Sequence, residues 1–331
     1  MNYRPFGRTG WKVSEIGYGM WGVAGWTGSD DRETLASLHR AVELGCNFFD
    51  TAWAYGDGKS EQILAEILAC YKNSPSAGGP DKRLYVATKI PPKNRKWPSR
   101  RDFTLDDCYP PDYVDEYVGR SLNNLGVDAI DVVLFHTWED RWLNDERLPR
   151  CIEDMKKGGK VRSFGPSVNR WEPHNGIRAV LEDWAEAVEV IYNIFDQNPE
   201  DALFPICRMK GAAVIARVPF DEGTLTGVLT LDSKWAAGDW RNSYFVPENL
   251  LSSVAHAEAL RPLIPAGSSM AEIALRFVLA NSDVSTTIPG MRKMKNVEAN
   301  FAASAAGPIS ADLRKALRAH RWDRNPTTWS Q

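Results

Sequence analysis

The chain has 331 residues, of which 43% are hydrophobic and 25% charged, and a formal net charge of -3, a composition typical of a globular protein with a large core. The slightly acidic balance argues against nucleic acid as a partner, because binding to phosphate backbones requires a concentrated basic face. Five scattered cysteines favour reduced thiols over a disulfide framework or a metal site, and no apolar stretch forms a signal peptide or reaches the ~20 residues of a membrane helix, so we expect a cytoplasmic protein without a membrane partner.

Strand-like hydrophobic segments alternate with amphipathic helical segments along the chain. The first strand-like segment, residues 15–19, precedes a helix whose start is marked by Asp30 and Glu33 in a capping pattern and whose end is marked by Gly45. This unit repeats seven more times, with predicted strands at residues 47–51, 84–89, 130–136, 161–167, 188–193, 213–218 and 285–289. Eight such units close a (β/α)8 TIM barrel of the α/β class, which we expect to form one domain over residues 1–331.

Several segments of the chain lie outside the repeated strand and helix units. Residues 2–14 predict a β-hairpin that plugs the amino-terminal face of the barrel. The long connections at 90–110 and 218–250 both follow carboxyl ends of strands, where barrel active sites are built, so we expect substrate and cofactor loops there. Residues 309–320 predict one extra helix, followed by a polar tail that contains Trp329.

Four ionisable side chains fall at the carboxyl ends of three consecutive predicted strands. Asp50 ends the second strand and Tyr55 follows it in a glycine-rich loop, while Lys89 ends the third strand and His136 the fourth. Each residue alone is common in an ordinary turn, packing or rim position. Because barrel geometry brings these strand ends to one mouth, the four together indicate a catalytic site.

Residues 17–22, GYGMWG, match the G-x-G-x-x-G dinucleotide fingerprint. The fingerprint requires a strand that leads directly into a helix, but the helix signal comes only at Asp30, with the bulky Trp21 and Trp26 in between. We therefore predict that this segment is not a Rossmann-type phosphate site.

The four residues Asp50, Tyr55, Lys89 and His136 resemble the catalytic Asp, Tyr, Lys and His of the aldo-keto reductase superfamily. Further family-like segments are GKVRSFGPS at 159–167, VIYNIFDQ at 190–197, GTLTG at 223–227 and IPGMRKMKNVEAN at 288–300. The resemblance covers nearly the whole chain. It implies an NADP(H)-dependent enzyme that reduces an aldehyde, ketone or sugar carbonyl by hydride transfer, with NADPH and NADP+ as the cofactor pair.

The chemistry of carbonyl reduction gives each of the four residues a role. An acid must deliver a proton where an alkoxide develops, and Tyr55 is that acid. A neighbouring Lys89 ammonium would lower the pKa of Tyr55, and Asp50 would hold Lys89 charged and in place. His136 would hydrogen-bond the substrate oxygen and orient the carbonyl.

The resemblance also implies cofactor contacts, with departures from the family pattern. The implied contacts are Ser167, Asn169 and Glu189 on the nicotinamide carboxamide, Arg217 stacked on the nicotinamide, Phe220, Leu225 and Gly227 along the pyrophosphate, Gly290 and Arg292 at the 2'-phosphate, and Asn296 and Asn300 near the adenine. The asparagine stands one place later than usual, after Val168. Glu189 replaces a glutamine and Arg217 replaces an aromatic residue, although a planar guanidinium can also stack.

The residues of the mouth loops bear on the substrate. Six tryptophans fall in these loops and would suit stacking on a sugar or an aromatic carbonyl: Trp21, Trp26, Trp53, Trp97, Trp138 and Trp240. A basic stretch in the first long connection would attract an anionic substrate or simply be solvated: Arg95, Lys96, Arg100 and Arg101.

Two other functions are compatible with the same residues. A regulatory protein that retains fold and cofactor, as potassium-channel β subunits resembling this family do, is one; the full set of four residues favours an enzyme. A Schiff-base aldolase that uses Lys89 is the other, but a carboxylate at Asp50 would keep the amine protonated. The sequence carries no signal for oligomeric state.

Overall fold

The computed structural model describes residues 1–25, 28–72, 74 and 77–327, so Trp26 and Trp329 lie outside the described residues. The strands of the described part are β1 (Tyr3–Pro5), β2 (Lys12–Ser14), β3 (Tyr18–Gly19), β4 (Phe48–Asp50), β5 (Tyr85–Ile90), β6 (Ile130–Phe135), β7 (Val161–Pro166), β8 (Ala187–Ile191), β9 (Ala213–Arg217) and β10 (Thr286–Thr287). Its α-helices are α1 (Asp31–Glu43), α2 (Lys59–Tyr71), α3 (Leu105–Cys108), α4 (Pro111–Leu125), α5 (Arg147–Lys157), α6 (Ile177–Leu181), α7 (Leu203–Lys210), α8 (Arg241–Tyr244), α9 (Pro247–Leu260), α10 (Met270–Leu279), α11 (Met294–Ala305) and α12 (Ala311–Arg318).

Strands β3 to β10 form a closed barrel of eight parallel strands. β3 to β7 pair in chain order, and β8 to β10 form a second parallel group. Single bridges from Ser167 to Glu189 and from Gly19 to Gly290 join the two groups. The predicted (β/α)8 barrel is therefore confirmed, and each predicted strand overlaps one of β3 to β10. β3 and β10 are shorter than predicted because they pair through isolated bridges where the barrel closes.

The interior of the barrel is filled by apolar side chains at its amino-terminal end. β1 and β2 form an antiparallel hairpin, as predicted. Its Phe6 and Val13 are fully buried and belong to the same cluster as the inward-facing Phe48, Leu134 and Ile215 of the barrel strands. The hairpin therefore plugs this end, which directs the site to the opposite, carboxyl-terminal mouth.

The helices pack their apolar faces on the outside of the strands. In α1, the Asp30 side chain accepts a hydrogen bond from the Glu33 backbone N at 2.8 Å, so the predicted cap is present. Leu38 and Val42 of the same helix are buried against the barrel. The predicted extra helix is α12. Within the described residues, no helix is long and apolar enough to cross a membrane.

The glycines of the GYGMWG segment serve barrel closure. A Cβ atom at Gly19 would lie 2.4 Å from the carbonyl oxygen of Ile288, so only glycine permits this approach of the two chain segments. The next helix begins at Asp31, well after the strand ends. As predicted, the segment lacks the strand-to-helix turn of a Rossmann phosphate site.

Candidate active site

Lys89 lies at the centre of a buried charged cluster at the carboxyl-terminal mouth. Its ammonium donates to Asp50 Oδ1 at 2.5 Å and to the carbonyl oxygen of Thr51 at 3.0 Å. The side chain of Lys89 is 1% exposed, and a buried ammonium requires such partners. β4 and β5 are neighbours in the sheet, which brings the two strand ends together as the sequence predicts.

Tyr55 and His136 stand beside this ion pair. Their rings are edge to face, with centroids 5.7 Å apart, and Lys89 Nζ lies 5.3 Å from the centre of the Tyr55 ring. Tyr55 is held in the turn after β4, where its backbone N donates to the Ala52 carbonyl oxygen at 3.0 Å. The structure thus brings together all four residues that the sequence predicts for catalysis.

Glu189 adds a second carboxylate to Lys89 from the far side of the barrel. Its Oε2 lies 3.3 Å from Lys89 Nζ, while its Oε1 accepts from the Ser167 hydroxyl at 3.0 Å and lies 3.7 Å from Arg217 Nε. The Glu189 side chain is 2% exposed. From the sequence, Glu189 is expected only at the cofactor. An alignment of the inward-facing residues of β4, β5 and β8 at one height would have indicated its contact with Lys89.

The phenol of Tyr55 is harder to ionise than predicted. Burial raises the pKa of Tyr55 to about 12, and the Lys89 ammonium lowers that pKa only in part. Lys89 therefore acts in the predicted direction, but the net pKa of Tyr55 lies above its usual value, because burial of a phenolate in this site costs more than Lys89 returns.

Burial and neighbouring charges also shift the pKa values of the other three groups. Burial, and after it the charges of Lys89 and Arg217, lower the pKa of His136 well below its usual value, so the imidazole is neutral. Burial opposes the ammonium of Lys89, but the Asp50 and Glu189 carboxylates outweigh it and raise the pKa of Lys89. Burial and the nearby Glu189 carboxylate raise the pKa of Asp50 well above its usual range, against the effect of Lys89.

A cavity of about 660 Å³ extends from these residues across the mouth of the barrel. Asp50, Tyr55 and His136 form part of its wall, and Gly290 and Arg292 lie along it. Aromatic side chains that line it are Trp21, Trp97, Trp138, Trp171 and Trp240. Trp171 follows the carboxyl end of β7 and is not among the tryptophans predicted from the sequence.

Some predicted mouth residues do not line this cavity. Trp53 packs edge to face on Tyr117, with centroids 4.8 Å apart, and Arg95 lies 4.9 Å above the Trp53 ring. Arg101 pairs with Glu172 at 2.8 Å on the surface. Arg95 therefore packs on an aromatic ring and Arg101 forms a surface ion pair. These contacts do not support a role for the two residues in attracting an anionic substrate.

The residues expected at the nicotinamide meet in one part of the cavity wall. Ser167, Asn169, Glu189 and Arg217 all line it. Arg217 Nη2 donates to the Val168 carbonyl oxygen at 3.1 Å, which anchors the guanidinium. Two buried polar atoms here, Arg217 Nε and Glu189 Oε2, have no hydrogen-bond partner among the residues that the structure describes.

Only some of the residues expected along the pyrophosphate and adenosine line the cavity. Phe220, Gly290, Arg292 and Asn296 line the cavity. Leu225 is fully buried, and Asn300 is buried one turn of α11 beyond Asn296, and neither faces the cavity. Gly227 ends the loop in a left-handed conformation, with φ 75°.

Asp239 is close enough to Arg292 to interact with its charge, although it does not line the cavity. Arg292 Nη1 donates to the Gly22 carbonyl oxygen at 3.2 Å. Hydrogen bonds from Arg241 lower the pKa of Asp239, and Arg292 adds to that effect through its charge. Asp239 is already paired with Arg241 at 2.6 Å, so it is not a dedicated partner of Arg292.

These observations fit a nicotinamide dinucleotide. The cavity joins the Tyr55 side to Arg292. Arg217 Nε and Glu189 Oε2, which have ionic neighbours but no hydrogen-bond partner among the described residues, lie where a carboxamide would need a donor and an acceptor. The loop after β9 has successive residues in left-handed conformations, and such turns form concavities that suit anions.

Comparisons with known proteins agree with this geometry. The family model described as Aldo/keto reductase family matches residues 15–321. An NADH-specific methylglyoxal reductase of Escherichia coli is 28% identical over 324 residues, which cover 93% of this chain and 95% of that protein. An aldo-keto reductase of Schizosaccharomyces pombe, whose name specifies NADP(+), is 27% identical over 298 residues, 88% of this chain and 84% of that protein.

A solved structure shares the fold. The holo form of an aldo-keto reductase from Bacillus halodurans superposes with a TM-score of 0.74 over 100% of both chains, at 23% sequence identity. At this identity the likeness shows that both chains form the same barrel.

Proposed function

Since the chain belongs to the aldo/keto reductase family, whose members are oxidoreductases that act on carbonyls with a nicotinamide cofactor, we propose that it is an NADP(H)-dependent reductase of an aldehyde, ketone or sugar carbonyl. The observation that carries this proposal is the buried pair of Lys89 and Asp50 directly beside Tyr55 and His136 on one wall of the cavity. A merely cofactor-binding regulatory protein would not require this arrangement.

Each residue of the cluster has a step in carbonyl reduction. When bound, the reduced nicotinamide supplies the hydride that reaches the carbonyl carbon. Tyr55 donates its proton to the carbonyl oxygen, and the neutral imidazole of His136 donates a hydrogen bond to the same oxygen and orients it. Lys89 favours the phenolate that Tyr55 becomes, and the two carboxylates keep Lys89 protonated.

The nicotinamide group of the cofactor would be held by three of the side chains in the cavity wall. The Ser167 hydroxyl already donates a hydrogen bond to Glu189. The amide of Asn169 is therefore the donor that we assign to the carboxamide oxygen. Glu189 is the acceptor that we assign to the carboxamide nitrogen. Arg217, anchored on the Val168 carbonyl oxygen, would stack on the ring.

Arg292 supports NADP(H) as the cofactor. It lines the cavity next to Gly290 and Asn296, after the last barrel strand, where barrel phosphate sites occur. A guanidinium is suited to bind a phosphate through two parallel hydrogen bonds. The names of the two relatives specify different cofactors, so the preference in this chain depends on its own residues.

The aromatic side chains around the entrance support an uncharged substrate with a flat or apolar face. Trp21 and Trp240 contact each other edge to face at 5.2 Å, and Trp97 lies edge to face with His136 at 5.6 Å. An aromatic carbonyl or a sugar would stack on such surfaces. The ion pair of Lys89 with Asp50 argues against a Schiff-base aldolase, because an amine must lose its proton to attack a carbonyl.

The test is oxidation of NADPH with a panel of aldehydes, ketones and sugars, in wild type and Tyr55→Phe. We expect the variant to bind NADPH normally and to lose ~100-fold or more of carbonyl reduction, the scale of losing a general acid. Tyr3→Phe is the matched control, because the Tyr3 hydroxyl bonds the Gly45 carbonyl oxygen at the opposite end of the barrel. Near-normal turnover of Tyr55→Phe would remove Tyr55 from the mechanism.

A further inference from the structure

Four buried charged side chains form a cluster under the loop that follows β9. Asp221 contacts Arg170 at 3.1 Å and Arg324 at 2.9 Å, and Asp196 contacts Arg324 at 2.7 Å and Arg170 at 3.6 Å. The exposed fractions of the four side chains lie between 1% and 12%. The cluster is electrically balanced, with two guanidinium and two carboxylate groups, and every group faces an opposite charge.

The four residues come from four separate parts of the chain. Arg170, Asp196 and Asp221 follow β7, β8 and β9 in turn, all at the carboxyl-terminal mouth. Arg324 comes from the tail after α12, here defined as residues 319–327. The tail therefore crosses to the mouth and closes the cluster from outside the barrel repeat.

The loop of residues 218–227 has a backbone conformation that needs support. Val218, Asp221 and Glu222 have φ values of 54°, 46° and 57°, in the left-handed region that non-glycine residues rarely adopt. Such conformations persist only where the surroundings fix them. The Asp221 side chain, held by two guanidinium groups, attaches this loop to the rest of the molecule.

The tail is itself fixed before it reaches Asp221. Trp322 stacks on His256 with centroids 3.9 Å apart and an interplanar angle of 17°, and its backbone N donates to the Phe195 carbonyl oxygen at 2.9 Å. The Arg324 guanidinium lies 4.4 Å from the centre of the Trp322 ring. Arg324 is thus pre-oriented, so little of its rotational freedom is lost on pairing with Asp221.

We propose that Arg324 is a positioning residue for the cofactor, and that the tail holds the 218–227 loop in the conformation that binds the pyrophosphate. This inference rests on the proposed function, because Phe220, Glu222, Gly223 and Thr226 of that loop line the cavity where the dinucleotide would lie. Without Arg324, Asp221 and Asp196 share one guanidinium, and the loop gains access to open conformations from which the cofactor escapes.

The test measures cofactor binding in the full chain by stopped-flow fluorescence, with NADPH and NADH as the probes. We expect Arg324→Ala to raise the dissociation constant of the better-bound cofactor by about 10- to 100-fold, mainly through faster dissociation, as for truncation of one partner of a buried charge pair. The turnover number at saturating cofactor should stay within about twofold, because Arg324 does not contact the four catalytic candidates. Arg324→Lys should recover part of the affinity.

Arg321→Ala is the matched control. Arg321 lies in the same tail and pairs with Asp201 at 2.7 Å, away from the 218–227 loop, so its loss should leave both cofactor rate constants unchanged. If Arg321→Ala weakens cofactor binding as much as Arg324→Ala, the contact between Arg324 and Asp221 is not what positions the loop, and the assignment of Arg324 as the positioning residue is wrong.

A second pair of variants keeps the test decisive if Arg324→Ala folds poorly. Asp221→Asn alone should accelerate cofactor dissociation, and Asp221→Asn combined with Arg324→Gln should cost clearly less than the sum of the two single changes, because both remove one contact. Additive effects would overturn the proposal. Wild type that binds neither NADPH nor NADH would instead contradict the proposed function, which keeps the two failures distinct.

Discussion

Glu189 is a second carboxylate beside Lys89, whose charge is already paired with Asp50. The Glu189 charge adds to the effect of burial in disfavouring the phenolate of Tyr55, while the charges of Lys89 and Arg217 oppose it. In the proposed mechanism Tyr55 must keep its proton until the carbonyl accepts it during reduction, whereas its phenolate must act as a base in alcohol oxidation. We therefore expect the Glu189 carboxylate to favour reduction at neutral pH.

Glu189→Gln should make alcohol oxidation less dependent on high pH. Removing the charge stabilises the phenolate, which lowers the pKa of Tyr55, so the fraction of phenolate at pH 8 rises and oxidation there should become about 3- to 10-fold faster. Reduction should stay flat from pH 6 to 9, because the wild-type pKa of about 12 leaves the phenol protonated throughout that range. The measurement is the pH profile of the turnover number in both directions.

A glutamate on the rim serves as the control for this change. Glu172 pairs with Arg101 at the surface with 32% of its side chain exposed, so Glu172→Gln should not move either profile. An oxidation profile of Glu189→Gln that coincides with wild type would show that this carboxylate does not act on Tyr55.

Arg292→Ala should change cofactor choice. A charge-assisted contact with the 2'-phosphate contributes roughly 1.5–3 kcal/mol, so NADPH binding should weaken by about 10- to 100-fold while NADH binding stays nearly unchanged. Titration of both cofactors measures the effect. Lys293→Ala, at the exposed neighbouring position, is the control that should affect neither. Equal losses for both cofactors would mean that Arg292 supports the loop through Gly22.

At the scale of elements, β3 approaches the segment that follows β10 closely. Gly19→Ala should cost roughly 1–3 kcal/mol in the free energy of unfolding, because the new Cβ meets the Ile288 carbonyl oxygen at 2.4 Å and backbone cannot move aside as a side chain would. Urea unfolding measures the change. Gly290→Ala, the bridge partner with open space at its Cβ, should stay within about 0.5 kcal/mol of wild type. Equal stability of the two variants would contradict the close approach.

The strands and helices were predictable because each has a local signal. Alternation of hydrophobic segments, the Asp30 cap and the hairpin at residues 2–14 all specify local structure, and the structure has each of them. The ends of β3 and β10 were not predictable, because hydrogen bonding across the barrel closure depends on a partner far away in the sequence.

The site was predictable only where residues share one edge of the sheet. Asp50, Lys89 and His136 end consecutive strands, so their meeting followed from barrel geometry. Contacts across the barrel, such as Glu189 on Lys89, and contacts of the tail, such as Arg324 on Asp221, depend on side-chain direction and on distant pairing. The raised pKa of Tyr55 likewise depends on the balance between burial and charge, which residue types alone do not define.

At the scale of the whole molecule, the amino-terminal end of the barrel contributes to stability, whereas the candidate active site lies at the carboxyl-terminal end. Phe6 is fully buried in the hairpin plug, with its ring 5.3 Å from that of Phe48. Phe6→Ala should lower the free energy of unfolding by about 3–5 kcal/mol. Because the site is at the other mouth, the turnover number of the folded variant should stay within about twofold of wild type.

The measurements for this change are denaturant unfolding and steady-state kinetics on the same preparations. Met209→Ala, at a position 67% exposed on α7, is the control and should alter neither quantity. A Phe6→Ala protein with normal stability, or one with a turnover number reduced as much as its stability, would contradict this division between the two ends.

The bridge between Gly19 and Gly290 also constrains how the protein is made. The first barrel strand emerges from the ribosome early, but its partner after β10 is translated near the end of the chain. At about 5–20 residues per second, β3 waits on the order of 15–60 s with one edge unpaired. Exposed strand edges bind other strands, so we expect the nascent chain to be prone to aggregation during this period. Slower translation of the last quarter of the message would lengthen that period.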